Sequence, residues 1–194
     1  VKALVLNPRN HEQGLADINA LVTLLDSDTG VPLAIIDGNW ITAVRTAGLS
    51  AVAAKRLARS DSSVIAFIGC GVQARSHLKL LAQLFPLKEL RAFGRGVSNR
   101  DALCQLAETL GLRAIASENA QAAIYEADLI VSTVTFSSQL VPFFVVYWLK
   151  PGAFATVTDL AAPWVKQSFS ELDYIVIDDC KQEAKMEIPL VNPR

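Results

Sequence analysis

Cysteine and histidine are scarce in this chain, and neither residue type occurs at a spacing that would hold a metal. The three cysteines, Cys70, Cys104 and Cys180, lie far apart, and the two histidines, His11 and His77, have no partner at catalytic or metal-binding spacing. An odd number of widely spaced cysteines predicts free thiols in a reducing compartment. The sequence therefore predicts a cytoplasmic protein with no metal site. Cys70 is interpreted as a small spacer within a turn, with a redox role as the alternative.

The chain also lacks an excess of charge of one sign and a long apolar run. Its 18 basic and 19 acidic side chains give a formal net charge of −1, and no basic stripe is present. This balance argues against nucleic acid and anionic membrane surfaces as partners. The longest apolar run, Val141 to Leu149, contains Pro142 and is too short to cross a bilayer. With 52% apolar residues among 194, the chain can build one full domain and part of another.

A glycine pattern stands out against this background. The apolar run Val64 to Ile68 leads straight into Gly-x-Gly-x-x-Ala, and a helical pattern follows at once. This order predicts a buried strand, a tight turn and a helix N-terminus, where the diphosphate of a dinucleotide would lie against the helix dipole. The alternative is an ordinary tight turn, because the pattern by itself is weak. The predicted cofactor contacts here are Gly69, Gly71, Val72, Gln73 and Ala74.

Strand and helix signals alternate from residue 64 onward. The predicted strands are Val64–Ile68, Glu89–Phe93, Leu112–Ala116, Asp128–Ser132, Ala153–Thr158 and Tyr174–Asp178. The predicted helices are Gln73–Phe85, Asn99–Leu110 and Asn119–Glu126. Ser98 is the expected N-cap of the second helix, and Gly111 its stop signal. Repeated β-α-β units of this length predict an α/β fold, a Rossmann-type doubly wound parallel sheet.

The first 38 residues show a different pattern, with three predicted strands and a turn signal before the third. The strands are Lys2–Leu6, Ala20–Leu25 and Val31–Ile36, and an alanine-rich helical stretch follows at residues 40–59. So few antiparallel strands cannot bury both faces. We therefore expect residues 1–60 to form part of a second α+β domain, with the connecting helix. Residues 61–180 would form the dinucleotide domain, and residues 181–194 would begin the return to the second domain.

The residues after the second Rossmann strand bear on the choice of cofactor. NAD-binding folds usually place a carboxylate there for the ribose 2′-hydroxyl, whereas this strand ends Phe93-Gly94-Arg95, with Arg100 just beyond. Arginine pairs well with a 2′-phosphate, so NADP(H) is favoured over NAD(H). The alternative is that Arg95 and Arg100 are solvated loop residues.

Four further polar residues are candidates for the site. Thr133 and Thr135 follow a parallel strand at the edge where ligands bind, so they would contact cofactor or substrate, or else cap a turn. Arg45, among small residues, would hold a substrate carboxylate or form a structural ion pair. Asp159 ends the strand AFATVT, where it would act as an acid–base group or as a helix N-cap.

Taken together, these segments resemble the ornithine cyclodeaminase/mu-crystallin family. The resemblance lies in DSDTGVPLAIIDG, ITAVRTA, GCGVQA, ADLIVSTVT, LKPGAF and IVIDD, in that order. It implies a Rossmann domain inserted into a substrate and dimerisation domain, a homodimer, and binding of NAD(H) or NADP(H). It also implies oxidation or reduction at the Cα–N bond of a small amino or cyclic imino acid. The family includes ketimine reductases, alanine dehydrogenases and ornithine cyclodeaminases, and the last of these are lyases.

The resemblance also implies roles for individual residues. Lys2 resembles the family's lysine on the substrate carboxylate, Arg45 its carboxylate-binding arginine, and Asp159 its acid–base aspartate. The cyclodeaminases follow this aspartate with proline and a Gly-Lys-x-Glu-Leu run, whereas this chain has Asp-Leu-Ala-Ala-Pro-Trp-Val-Lys from residue 159. The alternative to an enzyme is an NADP(H)-binding protein without activity, in the manner of mu-crystallin, or a truncated fragment.

Overall fold

The computed structural model describes residues 1–7, 9–135, 137 and 139–185, apart from the side chains of His11 and Gln182. The chain separates into two compact units, Val1–Leu49 and a second that begins at Ser50. The division falls within helix α1, Gly38–Leu57. In the described part of the chain, no helix combines the length and the apolar character needed to cross a membrane.

The first unit contains a three-stranded antiparallel sheet. Its strands are β1 (Lys2–Leu6), β2 (Ile18–Leu25) and β3 (Pro32–Asp37), in the order β1-β2-β3, with a 3-10 helix at Asn10–Gln13. The register pairs Leu4 with Ala20 and Thr23 with Ile35. The three predicted strands are thus confirmed, with ends shifted by two residues at most.

The β2–β3 turn is built by its own side chains. Asp26 Oδ1 accepts hydrogen bonds from the Thr29 backbone N–H at 2.8 Å and from the Thr29 hydroxyl at 2.7 Å. Gly30 then takes φ +73°, which other residues rarely adopt. The turn signal at residues 26–30 therefore corresponds to an Asx-type turn that closes the hairpin.

The second unit is built on a five-stranded parallel sheet. Its strands are β4 (Val64–Ile68), β5 (Glu89–Phe93), β6 (Arg113–Ala116), β7 (Leu129–Ser132) and β8 (Phe154–Val157). Its helices are α2 (Val72–Leu84), α3 (Val97–Thr109), α4 (Ala120–Ile124) and α5 (Cys180–Glu183), with 3-10 helices at Val146–Trp148 and Lys166–Glu171. The strand order is β6-β5-β4-β7-β8, which is the Rossmann order. The predicted doubly wound α/β fold is confirmed.

Apolar side chains cover both faces of this sheet. Because successive residues of a strand point to opposite faces, Ile65 and Phe67 enter one core and Ala66 and Ile68 the other. The first core includes residues of α2 and α3, and the second includes α4 and the segment that follows β7. A strand buried on both faces must be apolar throughout, which explains the unbroken run that begins at Val64.

Two local predictions are wrong. Tyr174–Asp178 is not a strand, and Tyr174 and Val176 are 88% and 68% exposed. Alternating apolar residues need a neighbouring strand, and none in the described residues pairs with this segment. Ser98 is not an N-cap, because α3 begins at Val97 and its N-cap is Gly96. Gly111, with φ +80° directly after the C-cap of α3, is confirmed as the stop signal.

Candidate functional site

The turn between β4 and α2 lies where the strand order of the sheet reverses. β4 pairs with β5 on one side and with β7 on the other, so the turn opens into the crevice between those two connections. Gly69 takes φ +93°, and a Cβ there would collide with the backbone of Thr133. The turn therefore depends on the absence of a side chain at this position.

Gly71 serves a different purpose from Gly69. It is the N-cap of α2, and a Cβ placed on it would meet no atom within 4 Å. The space in front of the helix is thus open, and within the described residues no side chain caps this N-terminus. The first N–H groups of a 13-residue helix, together with its dipole, favour an anionic group in this space.

Of the residues predicted around the turn, Val72 is exposed, Gln73 is half-buried and Ala74 is fully buried. Ala74 packs in the core beneath the turn, where a small side chain permits close helix–strand packing. A diphosphate in the open space would therefore meet backbone N–H groups rather than charged side chains.

Three arginines surround the neighbouring β5–α3 turn. Arg95 is exposed within it, and Arg100 in α3 forms an ion pair with Asp101 at 3.0 Å. Arg75 of α2 was missed by the sequence analysis, and its Nη1 donates to Asn99 Oδ1 at 3.4 Å. The only signal for Arg75 was its position one turn along α2, which does not by itself show where a long side chain points.

The residues after β7 form the other wall of the crevice. The Thr133 hydroxyl donates to the Gly69 carbonyl at 3.2 Å, and the Thr133 backbone N–H donates to the Ile68 carbonyl at 2.8 Å. Thr135 is exposed. Thr133 therefore stabilises the glycine turn itself, while Thr135 presents a hydroxyl to solvent at the same sheet edge.

Asp159 follows β8 and is 5% exposed. Its Oδ2 accepts hydrogen bonds from the Ser132 hydroxyl at 2.6 Å and from the Val134 backbone N–H at 3.0 Å. Ser132 Oγ in turn accepts from the Trp164 indole N–H at 3.2 Å. One carboxylate oxygen thus joins the end of β7 to the segment that follows β8.

The other carboxylate oxygen of Asp159, Oδ1, is buried and has no hydrogen-bond partner among the described residues. Burial raises the pKa of Asp159, and the bonds from Ser132 and Val134 offset this only in part. The next two residues, Leu160 and Ala161, have φ values of +57° and +53°, which non-glycine residues rarely adopt. The carboxyl group is therefore held in a fixed position, with one oxygen hydrogen-bonded and the other buried without a partner among the described residues.

Lys2 and Arg45 belong to the first unit, and both side chains are exposed. Lys2 Nζ donates to the Thr42 hydroxyl of α1 at 2.7 Å. Arg45 lies three residues after Thr42, so the two share one face of the helix. The first unit therefore gathers two cations on one side of α1.

The histidines and the cysteines differ in burial and in how much of them the structure describes. In the described residues, no three His, Cys, Asp or Glu side chains are placed to bind a metal ion. His77 is buried between hydrogen-bonding groups, and the side chain of His11 lies outside the described part. Burial raises the pKa of the Cys70 thiol to about 12.

The comparisons with known proteins agree with this architecture. A model of the ornithine cyclodeaminase/mu-crystallin family matches residues 1–163. The chain belongs to this family. Mouse ketimine reductase mu-crystallin is 36% identical over 153 residues, which are 79% of this chain and 47% of that protein.

Two solved structures of related proteins give the same picture of the fold. One is Thermococcus litoralis Δ1-pyrroline-2-carboxylate reductase in complex with NADH and L-proline, at 31% identity and a TM-score of 0.74, covering 79% of this chain and 47% of that one. The other is an archaeal alanine dehydrogenase dimer with bound NAD, at 32% identity and a TM-score of 0.70, with the same coverage. The chain spans about half the length of the relatives it matches.

The contacts of Trp164 and Arg75 could not be predicted from the sequence. Trp164 reaches Ser132 across 32 residues of sequence, and Arg75 reaches Asn99 across 24. Such contacts are set by the packing of separate elements on the sheet. They can be found only once that packing is known.

Proposed function

We propose that this chain carries the dinucleotide-binding half of an enzyme that uses NAD(P) for hydride transfer at the Cα–N bond of a small amino or cyclic imino acid. Relatives named as a pyrroline-2-carboxylate reductase, a ketimine reductase and an alanine dehydrogenase support this reaction class. The proposed enzyme is therefore an oxidoreductase or a cyclodeaminase-type lyase. The proposal includes residues 1–60 as part of the substrate and dimerisation domain, 61–180 as the Rossmann domain and 181–194 as the start of the return.

The observation that carries the proposal is the open space at Gly71 in front of α2. The N-terminus of a 13-residue helix, a glycine without a Cβ and the wall at Thr133 fit the diphosphate of a dinucleotide. When bound, such a cofactor supplies or accepts the hydride. The residues proposed to hold it are Gly69, Gly71, Val72, Gln73, Ala74, Thr133 and Thr135.

The cofactor preference is proposed to be NADP(H), with NAD(H) as the alternative. The β5–α3 turn holds Arg95 and no carboxylate, and Arg75 and Arg100 lie on the two helices beside it. Guanidinium groups form charge-assisted hydrogen bonds to a phosphate. The solved relatives contain NADH and NAD, so they support a nicotinamide dinucleotide without deciding between the two forms.

The substrate carboxylate is proposed to pair with Lys2 and Arg45. Two cations on one face of α1 would bind a single carboxylate and orient its α-carbon. Because the reaction exchanges a proton as well as a hydride, an acid–base group is required. Asp159 is the proposed group, since its raised pKa and the buried Oδ1 suit a carboxyl that takes up and returns a proton.

A homodimer is proposed as the assembly, supported by the dimeric alanine dehydrogenase. In the three-stranded sheet, Leu4 and Val5 point to opposite faces and are 48% and 65% exposed. Apolar side chains on both faces need a covering surface. The cytoplasmic location remains a prediction from the free thiols.

The test is an assay of nicotinamide absorbance with purified protein, together with a measurement of ammonia release from L-ornithine, because a cyclodeaminase-type reaction returns the hydride and leaves no net change in absorbance. NADPH and NADH are each offered with Δ1-pyrroline-2-carboxylate, and NAD and NADP with L-proline, L-alanine and L-ornithine. We expect oxidation or reduction with at least one pair. Asp159→Asn should lower kcat by about 100-fold or more, whereas the exposed control Asp61→Asn should not. A folded protein that changes none of these substrates contradicts the enzyme proposal.

A binding protein without turnover is the second candidate, and one observation favours it. Asp159 is 5% exposed and its Oδ2 is already occupied by Ser132 and Val134. A carboxyl this enclosed also suits a purely structural role. Dinucleotide binding by calorimetry, with no turnover and with unchanged binding in Asp159→Asn, would support this candidate.

A further inference from the structure

A buried histidine outside the proposed chemistry joins α2 and β8 to the part of α1 that belongs to the second unit. His77 of α2 is fully buried. Its Nδ1 lies 2.7 Å from the Gln73 carbonyl oxygen, and its Nε2 lies 2.9 Å from the Ser50 hydroxyl of α1. The Thr156 hydroxyl of β8 donates to Ser50 Oγ at 2.7 Å. Four residues separated by up to 106 positions in sequence therefore form one chain of hydrogen bonds.

The direction of each bond follows from the chemistry of the groups. A carbonyl oxygen only accepts, so Nδ1 of His77 carries the proton and donates to Gln73. In a neutral imidazole the other nitrogen accepts, so the Ser50 hydroxyl donates to Nε2. Ser50 Oγ then accepts from Thr156. Burial lowers the pKa of His77, and the bond to Gln73 offsets this only in part, which agrees with a neutral ring.

The position of Gln73 makes this chain of bonds relevant to the glycine turn. Gln73 is the second residue of α2 and belongs to the helix turn that faces the open space at Gly71. The imidazole adds a second donor to a carbonyl that already accepts a helical bond. His77 thus holds the first turn of α2, and through Ser50 and Thr156 it connects that turn to α1 and to β8.

We propose that His77 is a positioning residue for dinucleotide binding. Its imidazole, supported by Ser50 and Thr156, fixes the Gln73 carbonyl and so holds the N–H groups of the first turn of α2 ready for the diphosphate. A binding site that is ordered before the ligand arrives loses less entropy on binding. This inference rests on the proposed dinucleotide binding.

Two substitutions distinguish the role of the Nδ1 contact from that of the Nε2 contact. In His77→Asn, the side-chain amide takes the place of Nδ1 and keeps the donor to Gln73. In His77→Gln, the amide takes the place of Nε2 and keeps only the contact with Ser50. We expect His77→Asn to bind NADH and NADPH within about threefold of wild type. We expect His77→Gln to bind both about tenfold more weakly, a loss of about 1.4 kcal/mol, which lies within the range for one hydrogen bond. The dinucleotide affinities of Ser50→Ala and Thr156→Val should lie between those of the two His77 variants.

Ser168→Ala is the matched control. Ser168 is buried in the same unit, accepts from the Val146 N–H at 3.0 Å and donates to the Val165 carbonyl at 2.6 Å, and neither partner belongs to α2. We expect it to lower the melting temperature without changing dinucleotide affinity. Amide hydrogen exchange in α2 without nucleotide should accelerate in His77→Gln and not in Ser168→Ala.

The outcomes are distinguishable. Equal affinity in His77→Asn and His77→Gln, or an equal loss in Ser168→Ala, overturns this inference while the proposed function stands. A ¹⁵N NMR spectrum with the proton on Nε2 overturns it as well. A folded wild-type protein that binds neither dinucleotide overturns the proposed function and this inference together.

Discussion

Gly69 and Thr133 approach each other so closely that a Cβ on residue 69 would lie 2.5 Å from the Thr133 carbonyl oxygen. Gly69 also has a positive φ, whereas Gly71 has φ −76° and open space around it. Alanine at the two positions should therefore act differently. Gly69→Ala should lower the free energy of unfolding by at least about 1–3 kcal/mol from backbone strain alone.

Gly71→Ala should leave stability within about 0.5 kcal/mol and weaken dinucleotide binding, because its methyl group would enter the proposed diphosphate space. Urea unfolding and calorimetric titration with NADPH measure the two effects. A Gly71→Ala protein that binds as wild type does would contradict the assignment of this space.

Arg95 is the exposed side chain proposed to face a 2′-phosphate. Arg95→Ala should weaken NADPH binding about tenfold or more and leave NADH binding nearly unchanged, since only NADPH carries the phosphate. Arg113→Ala is a control at an exposed position, where the side chain pairs with Glu89 at 3.3 Å. Titration of each variant with both dinucleotides gives the comparison. Equal losses for NADPH and NADH in Arg95→Ala would remove the basis for an NADP(H) preference.

Asp128 stabilises the amino ends of β4 and β7. Its Oδ2 accepts from the Ser63 and Val64 N–H groups at 2.7 and 2.8 Å, and its Oδ1 pairs with Lys150 at 2.5 Å. Burial would raise the pKa of Asp128, but the bond from Lys150 and the two backbone bonds outweigh it and lower the pKa.

A lowered pKa means that the folded protein favours the ionised carboxyl. The stabilisation by Asp128 is therefore present above the unfolded pKa of about 4 and is lost as the pH falls through the folded value. Asp128→Ala should cost roughly 1.5–3 kcal/mol at pH 7 and less in acid. Urea unfolding of wild type and variant, from pH 7 down into the acid range, measures this cost. Lys150→Met is the variant that removes only the ion pair. A cost independent of pH would contradict the prediction.

Asp159 should show the opposite dependence. Its pKa is raised, so the folded protein favours the protonated form. The contribution of Asp159 to stability is fully present below the unfolded pKa of about 4 and is lost as the pH rises through the folded value. Asp159→Asn should flatten this part of the curve of unfolding free energy against pH. An unchanged curve would show that Asp159 does not titrate abnormally.

The cysteines should differ in reactivity. Burial raises the pKa of Cys70 to about 12, and burial also raises the pKa of the half-buried Cys104, whereas Cys180 is exposed. Because the thiolate is the reactive form, iodoacetamide at pH 8 should label Cys180 first and Cys70 last. Mass spectrometry of the native protein, with urea-unfolded protein as the control, measures the order. Rapid labelling of Cys70 would indicate that the glycine turn opens.

The sequence predicted the elements whose identity depends on local pattern. Val64–Ile68 and Glu89–Phe93 are correct to the residue, because each is a short strand between clear turn signals. Tyr174–Asp178 failed because strand pattern does not supply a pairing partner. The hydrogen bond between Ser132 and Asp159 could not be predicted from the sequence either. It depends on the adjacency of β7 and β8, which only the parallel order of the sheet establishes.

The solvent-facing leucine, isoleucine and valine side chains of the β1–β3 sheet bear on how the molecule behaves at high concentration. Leu33 and Ile35 are 59% and 72% exposed on β3, an edge strand of this sheet. Edge strands of this kind invite pairing with another copy. We therefore expect the protein to stay in solution when it is dilute, or when a second chain covers this surface, and to precipitate otherwise.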